Sequence, residues 1–180
     1  MSGGKMEDAG KIIAAIPGMN AAQRQGLRTN AKRLLADPKR ADVAQKVISA
    51  LDSQATADQE ALVEHVRNLP MAKRVVEAFR HEPMTETERR LVQVLLDYPG
   101  STSEGLSHSL GWGGQAWHLH FGEMCRRRES RLWPADRAVK RDSSFYSGIL
   151  ADLSADNRWS CKPDVAQAFS ALGLRPTGSP

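Results

Sequence analysis

Apolar residues recur at helical spacing through the first 83 positions. Asn20 can cap a helix that carries Leu27, Ala31, Leu34 and Leu35 on one side. Asp37-Pro38 restarts the chain, since Asp caps well and Pro suits a first helical position. Val43, Val47, Ile48 and Leu51 follow at the same period. Thr56-Ala-Asp-Gln59 has the capping-box pattern and predicts a further start, with Leu62, Val63, Val66 and Leu69 on one face. Pro70 opens the next helix, with Val75, Val76 and Phe79 as its apolar positions, and Pro83 closes the region. Ahead of all this, residues 1–10 are small and polar without a period and predict disorder. Lys11 to Ile16 predicts a short helix stopped by Pro17-Gly18.

The second half is patterned differently. Thr85-Glu-Thr-Glu88 is a capping box leading into Leu91, Val92, Leu95 and Leu96, and Tyr98-Pro99-Gly100 ends that helix. Ser101-Thr-Ser-Glu104 caps a short helix with Leu106 and Leu110, stopped by Gly111. After Trp112-Gly113-Gly114, a longer helix runs from about Gln115 to Arg128. Phe145, Ser147, Ile149, Ala151 and Leu153 alternate as in a half-buried strand, although a helical period fits residues 145–153 nearly as well. Ser154 to Asn157 reads as a turn, Arg158 to Lys162 as a second strand, and Pro163-Asp164 as the start of a last helix with Val165, Phe169 and Leu172.

Composition adds little to this picture; the placement of charge adds more. With 41% hydrophobic and 26% charged residues the chain is of ordinary globular type. No apolar run approaches the roughly 20 residues that span a bilayer, so no membrane partner is expected, and the two cysteines fit a cytoplasmic setting with free thiols. The formal net charge is +4. Between Trp117 and Arg141 the basic residues Arg126, Arg127, Arg128, Arg131, Arg137, Lys140 and Arg141 outnumber Glu123, Glu129 and Asp136 by four. That one segment holds the whole excess, as an electrostatic footprint on phosphates would.

Enzymatic chemistry finds no foothold. On a helix His118 and His120 point about 160° apart, and His118 lies roughly 10 Å from Cys125, so no metal is expected. Cys125 stands beside three arginines that could lower its pKa, but no positioned base accompanies it, and a structural thiol is expected. No phosphate-binding loop, dinucleotide fingerprint or nuclease metal motif is present, and no cofactor is implied.

A helix, a short capped helix, a glycine turn and a longer helix form the helix-turn-helix plan. The stretch ETERRLVQVLLDYPGSTSEGLSHSLGW resembles the first two helices of winged helix-turn-helix regulators, and NRWSCKPDVAQAFSALGL resembles their wing strand and closing helix. The resemblance covers residues 85–174 at superfamily level. It implies a mainly α fold, with a helical N-terminal region followed by a winged helix-turn-helix carrying a small β-hairpin. It also implies double-stranded DNA as partner, read through the third helix and the wing. The domain layout expected is a disordered or loosely attached 1–19, a helical domain over 20–83 for packing, dimerisation or a protein partner, the module over 84–175, and a disordered tail at 176–180. A nucleoid-associated transcriptional regulator is the function this suggests; a protein-docking adaptor and an RNA binder are the alternatives.

At 100° per residue, Trp117, His120, Phe121 and Met124 share one side of the third helix, and Gln115, His118, Gly122, Arg126 and Glu129 share the other. This places Gln115 and His118 at base edges and Arg126, Arg127, Arg128, Arg131, Lys140, Arg141 and Arg158 at phosphate. His120 is expected to be buried with a partner and His118 exposed. Gly122 marks either a close approach by another backbone or phosphate, or a packing constraint.

Overall fold

The computed structural model describes residues 3–132 and 145–178. Arg137, Lys140 and Arg141 therefore lie outside the described residues. The described chain is mainly helical with one small three-stranded antiparallel sheet. It divides into two compact units, residues 1–61 and 62–180.

In the first unit, helix α1 (Gly3–Ala15) leads through a short 3-10 helix at Ile16–Gly18 into α2 (Ala21–Leu34) and then α3 (Ala41–Arg67). The expectation of disorder over the first ten residues is corrected, because α1 takes in most of them. It precedes Ile16, whose side chain is buried with Ala31, Ala44, Val47 and Leu51 and anchors the N-terminal segment. Asn20 caps α2 as expected, and Gln23 reciprocates, which completes a capping box. The second start at Thr56 does not occur. Helix α3 runs on uninterrupted, and the Thr56 hydroxyl donates to the Asp52 carbonyl at 3.1 Å instead. Nothing between Ala41 and Arg67 is a proline or glycine, so no residue stops the helix for a cap to restart it.

The second unit begins inside the expected N-terminal domain. Helix α4 (Met71–His81) buries Val75, Ala78 and Phe79 in the same core as α5 (Glu86–Asp97) and the C-terminal elements. Phe79 meets Phe169 of α9 (Pro163–Ala171) edge-on at 5.5 Å. The boundary expected at 83/84 thus moves toward residue 61, because α4 has its apolar partners downstream.

After α5 come β1 (Ser101–Thr102), α6 (Ser103–Ser109), α7 (Ala116–Arg127) and a single turn α8 (Glu129–Leu132). A 3-10 helix at Tyr146–Ile149 then precedes β2 (Ala151–Leu153) and β3 (Arg158–Cys161). The hairpin around Ser154–Asn157 is present, but the strand begins only at Ala151; the helical alternative at 145–153 holds for its first half. The sheet order is β1-β3-β2, with Trp159 opposite Ser101 on one side and Leu153 on the other. Strand β1 is too short for sequence periodicity to reveal. At the other end, Thr177 donates its amide to Asp97, so the chain expected as a tail is tied down at that point.

Trp117 organises this core. It is fully buried, stacks on Phe121 at 4.6 Å and meets Trp159 edge-on at 5.3 Å. Its indole Nε1–H donates to the Leu91 carbonyl at 3.1 Å and its amide to Ser107 Oγ at 2.9 Å. One residue therefore joins α5, α6, α7 and the sheet. Replacing Trp117 with Ala is expected to destabilise the second unit by about 3–5 kcal/mol through lost burial and a cavity. Denaturant titration monitored by far-UV circular dichroism checks this; a loss under about 1 kcal/mol would show that the core closes around the gap.

Candidate nucleic-acid interface

The turn between α6 and α7 sets the aim of α7. Gly111 has φ 75°, which lets α6 end with the Trp112 amide donating back to the Ser107 carbonyl and the Gly111 amide to His108. This is the Schellman closure, and glycine adopts its left-handed residue at no steric cost. Gly114 takes φ 59° just before α7 begins. Gln115 is the N-cap residue, but its side chain makes no capping hydrogen bond.

The buried side of α7 carries Trp117, Phe121, Met124 and Cys125, near the expected face. The two histidines are exchanged relative to expectation. His120 is exposed, its ring tilted against Trp112 at 5.0 Å. His118 is half-buried, with Nδ1 3.1 Å from Ser103 Oγ at the start of α6. Gly122 is half-buried against the 146–149 turn, for a Cβ there would lie 3.2 Å from Ser147 Oγ. Packing of the 146–149 turn explains this glycine. The solvent face of α7 is accordingly rotated from the expected one and presents Gln115, Leu119, His120, Glu123, Arg126 and Arg127. Leu119, 66% exposed, stands in the middle of it.

The arginines divide sharply by environment. Arg126 is exposed and forms a bidentate pair with Glu123 at 2.8 and 2.7 Å. Arg127, half-exposed, is paired with Glu88 and lies 3.5 Å from Glu82. Arg128 is only 2% exposed and cannot line a surface, which corrects its expected phosphate role. Its guanidinium bonds Glu88 at 3.0 and 3.1 Å and the carbonyls of Glu82, Pro83 and Met124, and lies over the Phe79 ring at 4.5 Å. Arg131 is half-buried on α8. Arg158 is exposed on β3, held by Asp156 at 2.8 Å and the Gly100 carbonyl at 2.9 Å. Of the cationic cluster seen in sequence, Arg127 and Arg128 are thus matched by Glu82 and Glu88, acids some 40 positions upstream.

Burial by itself would raise the Glu88 pKa. The Arg128 hydrogen bonds, the Thr85 amide and the charges of Arg128 and Arg127 outweigh it and hold the carboxyl below its usual range. Burial pushes the Cys125 thiol far up despite the neighbouring arginine, and burial with Asp152 pushes Cys161 up to about 12. Neither is a thiolate at neutral pH. Among the described residues no group of three or more His, Cys, Asp or Glu is placed to hold a metal ion, and no helix is long and apolar enough to cross a membrane.

An open cleft of about 360 Å³ lies where the start of α6, the start of α7 and the β2–β3 hairpin meet. Gln115 and His118 from the expected site line it. So do Glu104, which sequence reasoning took only as part of a cap, and Asn157, which it took only as part of a turn. Nothing in the local sequence signals that these four come together, because the hairpin returns to α7 from about 40 residues away. Comparison with protein-family models, curated proteins and solved structures returns no match.

The buried pair makes a pH-dependent contribution of known sign. Because the folded Glu88 pKa is depressed, its stabilisation is fully present above the unfolded carboxyl value of about 4.3 and is lost as pH falls through the lower folded value. Arg128→Ala is expected to cost about 3–5 kcal/mol at pH 7 by leaving Glu88 with a lost partner. Arg126→Ala should change stability far less, as for exposed surface positions. Glu88→Gln should flatten the fall in stability below pH 4.5 or so. Denaturant midpoints of the three variants from pH 3 to 7 check this; equal costs for the two arginine variants would refute the division by burial.

Proposed function

We propose that this chain is a sequence-specific DNA-binding protein, a transcriptional regulator of the winged helix-turn-helix kind. The observation that carries the reading is topological. Elements α5, β1, α6, α7, β2 and β3 follow in that order, and the sheet order is β1-β3-β2. In a helix-turn-helix the helix after the turn enters the major groove with its N-terminal residues at base edges. That position belongs to α7, with Gln115 at its cap and the hairpin close to its start.

In this reading the solvent face of α7 meets DNA. Gln115 supplies a carboxamide that pairs with adenine through two hydrogen bonds, and Leu119 offers an apolar contact of the kind thymine methyl groups accept. Arg126 and Arg158 exchange exposed carboxylates for phosphates. Such exposed pairs contribute little to stability, so the exchange is cheap. Lys140 and Arg141 are further candidates from sequence alone. Helices α1 to α3 are left for packing, a second copy or a protein partner.

Leu119 also favours a second reading. A large apolar side chain, exposed beside charges that are mostly paired, suits a protein-docking face as well as a DNA groove. Selection from random DNA and RNA pools separates the two. In the DNA reading a preferred duplex emerges, and its affinity falls with salt at a slope near −0.9 per phosphate contact. Arg126→Ala should lower that slope by about one contact for all sequences alike. Gln115→Ala should cost about 1–3 kcal/mol at the preferred duplex and leave nonspecific binding nearly intact. No binding of any nucleic acid at low salt would end the DNA reading in favour of protein docking.

A further inference from the structure

The cleft between α6, α7 and the hairpin has a chemistry that phosphate does not suit. Two carboxylates line it, Glu104 and Asp156, and both would repel an anion. Asp156 is already engaged, accepting from Ser154 Oγ at 2.6 Å and from Arg158 Nε at 2.8 Å. Glu104 has no hydrogen bond or ion pair among the described residues. The same holds for the side-chain amides of Gln115 and Asn157. Asn157 is held at φ 60° by the hairpin turn, which fixes its backbone at the cleft wall. Below them are half-buried Leu153 and almost fully buried Trp159. The site thus combines one unengaged acceptor-only group, two unengaged amides that both donate and accept, and an apolar floor.

That combination matches one class of ligand: a flat heteroaromatic ring bearing an exocyclic amino group. We propose that the cleft binds an amino-bearing nucleobase, adenine or cytosine, with the Glu104 carboxylate accepting from the amino group and the Gln115 and Asn157 amides meeting the ring edge. On the major-groove edge a carboxylate accepts from cytosine N4, and Gln or Asn pairs with adenine N6 and N7, whereas guanine and thymine present a carbonyl on that edge where Glu104 needs a donor. The volume is within the range of small-ligand clefts. A lone ammonium or guanidinium group would use the carboxylates and the amide oxygens but leave the amide donors and the apolar floor without a role. The inference deepens the DNA-binding reading and rests on it for a base presented by a duplex; a free nucleoside carries the same chemistry.

Two arms distinguish these sources. In the first, backbone amide shifts of the full chain are followed by NMR as adenosine, cytidine or purine riboside, which lacks the amino group, is added. Adenosine and cytidine should shift Gln115, His118 and Asn157, and purine riboside should bind at least about tenfold more weakly, the scale of one lost base contact. Glu104→Ala should erase the difference while the amides of β3 and α9 stay in place, which separates lost recognition from lost folding. In the second arm, single adenines of the selected duplex are replaced by purine. Wild type should lose about tenfold at one position, and Glu104→Ala should be indifferent there. A nucleoside response with no duplex binding overturns the DNA reading and leaves the cleft assignment standing. Duplex binding with no amino-group dependence in either arm overturns the cleft assignment alone. So would the same amides moving with inorganic phosphate, or with an arginine-bearing peptide while nucleosides move none of them.

Discussion

Arg128 holds the second unit in register. A guanidinium has five N–H donors, and here all five are used, by two Glu88 oxygens and by the carbonyls of Glu82, Pro83 and Met124. The residue closes the C-terminal end of α7 against the start of α5 and the link from α4, and its cation lies over Phe79. Burying a charge costs several kcal/mol. The cost is met only when every donor is satisfied, so a shifted register of α7 would leave donors orphaned. The pair thus contributes little net stability but penalises every alternative arrangement. The Thr85–Glu88 capping box is part of the same cluster, since Glu88 accepts from the Thr85 amide as well as from Arg128. One carboxylate begins α5 and ends α7.

The opposite end of α7 is fixed by small hydroxyls. Ser107 donates to the Ser103 carbonyl and accepts from the Trp117 amide, and Ser103 meets His118. With Gly111 closing α6, these bonds set the angle between the two helices before any ligand arrives. The cleft follows from this geometry: the α6 and α7 starts are held together, and the hairpin is held beside them by Trp159 packed on Trp117.

What sequence made legible were features whose cause is local. The Asn20 cap, the Thr85 capping box, the Gly111 stop, the span of α7 and the Ser154–Asn157 turn each depend on residues within a few positions. Features with distant causes were not legible. Arg127 and Arg128 looked like free positive charge because their acids, Glu82 and Glu88, are some 40 residues away. The domain boundary was placed at Pro83 because α4 resembles its upstream neighbours in composition, while its apolar partners are in α9. His118 and His120 exchanged environments because helical periodicity fixes relative angles along α7 but not which angle faces the core. A shift of a few tens of degrees moved Leu119 to the surface centre and Gly122 under Ser147. Thr56 was misread for a related reason, since a capping pattern starts a helix only where the preceding one has stopped.

Charge count is therefore a poor guide to the electrostatics of this surface, and burial a better one. An exposed pair such as Arg126–Glu123 contributes little, so its guanidinium can turn to another anion at almost no cost. A pair such as Arg128–Glu88 resists the same exchange by several kcal/mol, because the acid left behind stays buried. Arg127 lies between the two, half-exposed and shared by two acids. The three consecutive arginines at the C-terminal end of α7 thus form a graded set, from exposed Arg126 through Arg127 to buried Arg128. The unengaged Glu104, Gln115 and Asn157 stand apart from these paired cations, at the cleft beside the start of α7.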